Sequence, residues 1–124
     1  MKPKPPTEEQ DQMQLFEWAS LQKGKYPELA LLNSSANGVR LPIGLAVKTV
    51  RLGLRKGYPD IFLPVARQSS HGLFIELKRI KGGVISSEQE WWGMKLTEQG
   101  YTSVVCYGFE QAKQTIIDYL EGKL

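Results

Sequence analysis

A glutamate and a lysine stand two residues apart inside an otherwise apolar, β-favouring run, Leu73-Phe74-Ile75-Glu76-Leu77-Lys78, and no other feature of this 124-residue chain constrains its fold as strongly. Alternate side chains of a strand face opposite sides, so Glu76 and Lys78 project together while Ile75 and Leu77 turn into an apolar layer. Charges among such neighbours are rare unless a partner or an ion compensates them. A second β-favouring run, Ile61-Phe62-Leu63, is led by Asp60 and closed by Pro64, and a polar turn joins it to Gly72 at the start of the first run. The two runs are therefore expected to be neighbouring strands, with an aspartate from one and a glutamate plus a lysine from the other at the same site.

Two compensations are open. A divalent cation such as Mg²⁺ or Mn²⁺ takes hard oxygen ligands, often one or two carboxylates completed by water and substrate phosphate, and Asp60 and Glu76 supply such a pair. Lys78 would then hold an attacking water or developing negative charge, a division of labour suited to phosphodiester hydrolysis. The alternative is a structural carboxylate pair neutralised by Lys78 and Arg79 without a metal. Zinc is not expected, because the chain has one cysteine, Cys106, one histidine, His71, and no Cys/His cluster. No motif calls for an organic cofactor.

The length fits one domain, read as residues 7–124 after a Lys/Pro tail over residues 1–6 that cannot start a helix. Thr7 with Gln10 forms a capping box, and Met13, Phe16 and the Trp18/Ala19 pair continue a helix to about Leu21. Leu29 to Leu32 reads as a strand that runs into a turn-rich loop, Asn33 to Gly38. Leu41 to Lys56 holds either a short helix near Leu45 to Leu52 or irregular chain. Ser86 with Gln89 is a second capping box, opening a helix that carries Trp92 and Leu96 and ends near Gly100. Thr102 to Tyr107 is a third clear β run, and Phe109, Ala112, Ile116 and Leu120 mark a final amphipathic helix. At 41% apolar residues the chain can fold. No apolar run reaches a membrane-spanning length, so a soluble cytoplasmic protein without membrane contact is expected.

The formal charge is only +3, but its distribution is uneven. Nine basic residues against two acids lie between Gly38 and Lys81, whereas the rest of the chain carries seven basic and eleven acidic residues. A basic middle is the footprint of phosphate binding or, equally, of a solvated face. Arg40, Lys48, Arg51, Arg55 and Lys56 are the candidate phosphate contacts. His71 reads as a loop residue, Trp91 and Trp92 as core or dimer contacts in preference to base-stacking platforms, and Cys106 as a small buried apolar residue.

Pro59-Asp60 with Glu76-Leu77-Lys78 resembles the PD-(D/E)XK nuclease signature. The wider set, Glu8 with Gln12, Asn37-Gly38, Lys56 to Leu63, Gly72 to Lys78 and Ser86 to Trp91, resembles a VRR-NUC domain. The resemblance implies a three-layer α/β/α, restriction-endonuclease-like core with a small mixed sheet. It also implies Mg²⁺- or Mn²⁺-dependent cleavage of branched or flapped DNA, with stand-alone phage and bacterial members similar to homodimeric Holliday-junction nucleases. On that resemblance Asp60, Glu76 and the backbone carbonyl of Leu77 are metal ligands, and Lys78 is the catalytic lysine. Glu8 is then the assisting acid of the first helix, with Glu9 as its rival. Gln89 is either an active-site residue or only a helix cap. A non-catalytic nucleic-acid-binding module and a subunit of a larger nuclease assembly are the competing functions.

Overall fold

A computed structural model describes residues 3–35 and 43–124. Its elements run α1 (Glu8–Leu21), a 3₁₀ turn (Pro27–Leu31), β1 (Asn33–Ser34), α2 (Ile43–Arg51), β2 (Ile61–Leu63), β3 (Leu73–Lys78), α3 (Ser87–Glu98), β4 (Thr102–Tyr107) and α4 (Phe109–Leu120). The strands form one mixed sheet in the order β1-β2-β3-β4. β1/β2 and β2/β3 are antiparallel and β3/β4 parallel, with Ile61 opposite Ile75 and Glu76 opposite Val105. A parallel pair needs a crossover connection, and α3 provides it between β3 and β4.

The two sides of β3 differ as the alternation requires. Leu73, Ile75 and Leu77 join Ile61 and Leu63 in a core closed by Leu15 and Ala19 of α1 and Ala112, Ile116 and Leu120 of α4. Phe74, Glu76 and Lys78 point to the other side, where α3 lies. There Phe74 stacks on Phe62 at 4.1 Å and meets Tyr58 and Tyr101 edge-on. The molecule is thus layered as α1 and α4, sheet, α3, the α/β arrangement expected from the sequence.

Both capping boxes form. Thr7 and Gln10 exchange bonds of 3.1 and 3.0 Å at the start of α1, and Ser86 and Gln89 bonds of 3.1 and 2.9 Å at the start of α3. The uncertain stretch is helical over α2, and Thr102–Tyr107 is the strand β4. The first-helix stripe differs from expectation: Met13 is exposed, and α1 buries Asp11, Leu15 and Ala19 at four-residue steps. Asp11 is drawn in because its Oδ1 accepts the Phe109 N–H at 3.3 Å, capping α4 where Gly108 offers no side chain. Leu29 to Leu32 is not a strand. Pro27 presets a helical φ at the first position and the chain coils into a 3₁₀ turn that buries Leu29 and exposes Leu31, so the strand starts only at Asn33. The Asn37-Gly38 loop lies outside the described residues.

Gly57 sets the spacing between β2 and α3. It has φ +89°, and a Cβ there would come within 2.6 Å of the Glu88 backbone and 2.8 Å of the Gln89 nitrogen. Only glycine allows the segment leading to Asp60 to lie flat on the first turn of α3. Gly57→Ala is expected to lower unfolding free energy by about 2 kcal/mol or more, combining a strained φ with a backbone clash. A urea midpoint equal to that of the wild type would show that the two segments can separate freely.

Candidate metal centre

Asp60, at the head of β2, is pinned from the strands on both sides, the end of β1 and β3. Its backbone carbonyl accepts the Ser35 N–H at 2.8 Å, and the preceding Pro59 carbonyl accepts the Ser35 hydroxyl at 2.9 Å. Its side-chain Oδ2 accepts the Leu77 N–H at 2.8 Å. Extending the β2/β3 register places Pro59 opposite Leu77, and a proline has no N–H to give the Leu77 carbonyl. The aspartate side chain therefore replaces the missing end of the ladder, and the Leu77 carbonyl faces the same edge.

Glu76 and Lys78 are each only 8% exposed. Glu76 Oε1 accepts a 2.7 Å bond from Gln89 Nε2, and Lys78 Nζ lies 3.9 Å from the same oxygen. Gln89 is a helix cap through Oε1, which accepts from the Ser86 N–H, and its Nε2 also donates to Glu76. Burial first, then the charge of Asp60 and a hydrogen bond to it, push the Glu76 carboxyl up to about 9. Burial also raises Asp60, against the opposing Leu77 and Glu76 hydrogen bonds. The raised Glu76 carboxyl favours one proton shared by the pair over two bare carboxylates, which would repel.

Glu8, at the first position of α1, is close enough for its charge to act on both Asp60 and Glu76. Glu9 is its neighbour on the same first turn. Both glutamates border an open cleft of about 500 Å³ that Lys78, Arg79 and Gly83 also line. A Cβ at Gly83 would lie 2.9 Å from the Lys78 Cβ, so this glycine lets the turn after β3 close over the lysine stem.

Among the described residues no three His, Cys, Asp or Glu side chains cluster as a complete metal cage. The oxygen groups that could meet an ion are the carboxylates of Asp60 and Glu76, with the Leu77 backbone at the same edge and Glu8 nearby. Such an all-oxygen set suits Mg²⁺ or Mn²⁺, which keep several waters, and does not suit zinc.

The other sequence candidates lie elsewhere. Lys48 and Arg51 are exposed on α2, Arg55 and Lys56 are exposed just before Gly57, and Arg40 lies outside the described residues. His71 stands at the far end of β3 from Lys78, edge-on to Tyr101. Cys106 is fully buried, bonded to Thr115 and pushed up by burial, an inert core thiol. Ser35 and Gly57 were not among the expected site residues, Gly57 having entered only as part of the Lys56 to Leu63 stretch. Ser35 has no readable signal, but a glycine immediately before Tyr58-Pro59-Asp60 is the kind of residue a close backbone approach requires.

No helix among the described residues is long and apolar enough to cross a membrane. The family model of the VRR-NUC domain matches residues 8–110. A solved structure, a VRR_NUC domain protein, is 30% identical, with a TM-score of 0.83 over 97% of this chain and 93% of that chain. No curated protein matches the chain.

The retained proton has a measurable consequence. Folded, metal-free protein holds it up to about pH 9, whereas an unfolded glutamate releases it near 4.5. The folded state binds more protons throughout that window, so this pair's contribution to stability is greatest at its acid end and declines as pH rises through it. In EDTA the melting temperature is expected to fall from pH 6 to pH 9, and Glu76→Gln to flatten that fall. An undiminished slope in the variant would remove Glu76 as its source.

Proposed function

Because this chain belongs to the VRR-NUC domain family, a nuclease-type domain, we propose that it is a Mg²⁺- or Mn²⁺-dependent endonuclease that hydrolyses phosphodiester bonds in branched DNA such as flaps or Holliday junctions. The observation that carries this reading is geometric: the half-buried Asp60 and the buried Glu76 meet from adjacent strands, with Lys78 Nζ 3.9 Å from Glu76 Oε1. Asp60, Glu76 and the Leu77 carbonyl would hold the ion, assisted by Glu8. Bound there, a divalent cation supplies polarisation of the scissile phosphate and a more acidic water.

The chain's own groups prepare the site. The Leu77 N–H holds Asp60 Oδ2 and the Gln89 amide holds Glu76 Oε1, so both carboxylates are oriented, and loss of the proton they share would leave their other oxygens to an ion. Lys78 is held by burial where it can orient water or meet charge growing on the phosphate. Lys48, Arg51, Arg55 and Lys56, with Arg40, are the basic residues proposed to meet the phosphate backbone; such contacts position DNA without reading its sequence. One acid pair per chain cuts one strand, so symmetric cutting of a junction calls for two copies, and we infer a homodimer acting in the cytoplasm.

The test is incubation of purified protein with labelled flap, four-way junction, duplex and single-stranded DNA in Mg²⁺, Mn²⁺ or EDTA. Cleavage is expected only with metal. Asp60→Asn keeps the acceptor for Leu77 and Glu76→Gln keeps its shape, yet each is expected to lose at least about 100-fold in rate while still binding DNA. Lys78→Met should lose a similar amount. Full activity in Asp60→Asn or Glu76→Gln would refute the site, and a protein that binds but never cuts would be a binding module or a subunit.

Gln89→Glu separates cap from site, because glutamate serves equally well in a capping box but cannot donate to Glu76. With Mg²⁺ present, the melting temperature is expected to stay within a few degrees while cleavage drops about tenfold. Wild-type cleavage would reduce Gln89 to a cap.

A further inference from the structure

Beyond the acid pair, two indoles of α3 meet Arg55 and Lys56 of the segment before Gly57, and the indoles have no part in the proposed chemistry. Trp92 is fixed by a 3.1 Å bond from Nε1 to the Lys56 carbonyl and by edge-on contact with Tyr58 at 5.2 Å. Trp91 stands edge-on to Trp92 at 5.3 Å and remains 49% exposed. The two indoles border an open cleft of about 530 Å³ shared with Arg55, Lys56, Ser87 and Glu88. An indole half in water, held by a second indole that is itself anchored, is a prepared flat surface.

Resting on the nuclease reading, we infer that this cleft receives an unpaired nucleobase of the DNA substrate, stacked on Trp91, with Arg55 and Lys56 beside its backbone phosphates. Charge favours such a partner. Two cations against the Glu88 carboxylate leave a net positive rim around an aromatic floor, the combination that binds single strands. Arg55 is braced through Nη1 to the Val50 and Leu54 carbonyls, so its charge is held in place. The Lys56–Glu88 pair is 3.7 Å long with its lysine side chain 83% exposed, a contact weak enough to open for a phosphate.

A base inside a duplex has both faces covered by its neighbours, so stacking on Trp91 requires a nucleotide free of the helix. The cleft also adjoins the acid pair along the chain. Gln89, which donates to Glu76, precedes Trp91 by two residues, a rise of about 3 Å along the helix. Tyr58, against Trp92, precedes Asp60 by two residues. Both segments that frame the cleft thus continue into the acid pair, with Gln89 and Trp91 on different sides of the helix. The substrate class this selects is a branch or flap that offers an unpaired nucleotide, in preference to a fully paired junction.

The test measures binding of a fluorescent oligothymidylate and of a blunt duplex of equal length, in EDTA so that nothing is cut. W91A is expected to weaken oligothymidylate binding about tenfold, W91F to recover most of it, and duplex binding to change less than about twofold. W91L keeps apolar bulk without a ring face and carries the comparison if W91A does not fold. Equal losses on both DNAs, or no loss on the oligothymidylate, would overturn the stacking role alone. A wild type that binds neither DNA would overturn the nuclease reading as well. If W91A converts a dimer to a monomer in sedimentation and leaves oligothymidylate affinity unchanged, Trp91 is a protein contact and the stacking role falls.

Discussion

Two carboxylates from adjacent strands are held against each other in a largely buried site, and much of the surrounding structure serves to keep them there. Left to themselves, Asp60 and Glu76 would repel and turn toward water. Asp60 cannot turn, because Ser35 holds its backbone and that of Pro59 while the Leu77 N–H holds its side chain. Glu76 cannot, because its strand is paired on both sides and Gln89 grips one oxygen. The result is a site short of positive charge, in which burial and Asp60 push the Glu76 carboxyl well above its ordinary range and Lys78, 3.9 Å away, offsets the deficit only in part.

Such a site costs stability and yields preorganisation. A sheet end with leucines in place of Glu76 and Lys78 would fold with less opposition, since buried ionised groups seldom repay their desolvation. The chain offsets this locally. The apolar side of β3 packs against α1 and α4, and the polar side is bounded by the stacked Phe62–Phe74 pair and by Tyr58 and Tyr101. The rigid aromatic layer limits how far the acids can relax away from each other, so the polar groups are already oriented before any ligand arrives.

The elements legible in the sequence were those with a strong local cause. Thr7/Gln10 and Ser86/Gln89 close helix ends by bonds between residues three apart, and Leu73–Lys78 declares its two faces by alternation alone. The acid pair was legible because charge inside an apolar strand demands a reason. What escaped depends on contacts distant in sequence. Leu29–Leu32 has a strand-like composition, yet Pro27 and the demand to bury Leu29 coil it. Asp11 looks like an ordinary first-turn acid, and only the arrival of Phe109, 98 residues later, explains its burial. Ser35 holds Asp60 through a strand of two residues too short to read. Gly57 matters for what lies against it and not for its own turn.

Gln89 shows why local and long-range reasons need not compete. The two ends of one amide face different partners: the oxygen completes a helix cap, and the nitrogen orients a carboxylate thirteen residues earlier in the chain. Because the cap fixes the rotamer, the donor to Glu76 is positioned by the folding of α3 itself. The same turn packs on Gly57, whose φ +89° lets the approach to Asp60 lie flat against it. Both acids are therefore referred to a single helix start, one through a side chain and one through the backbone. A shift of that turn would move them together relative to the sheet, so the precision of the pair is limited by how firmly the first turn of α3 is seated.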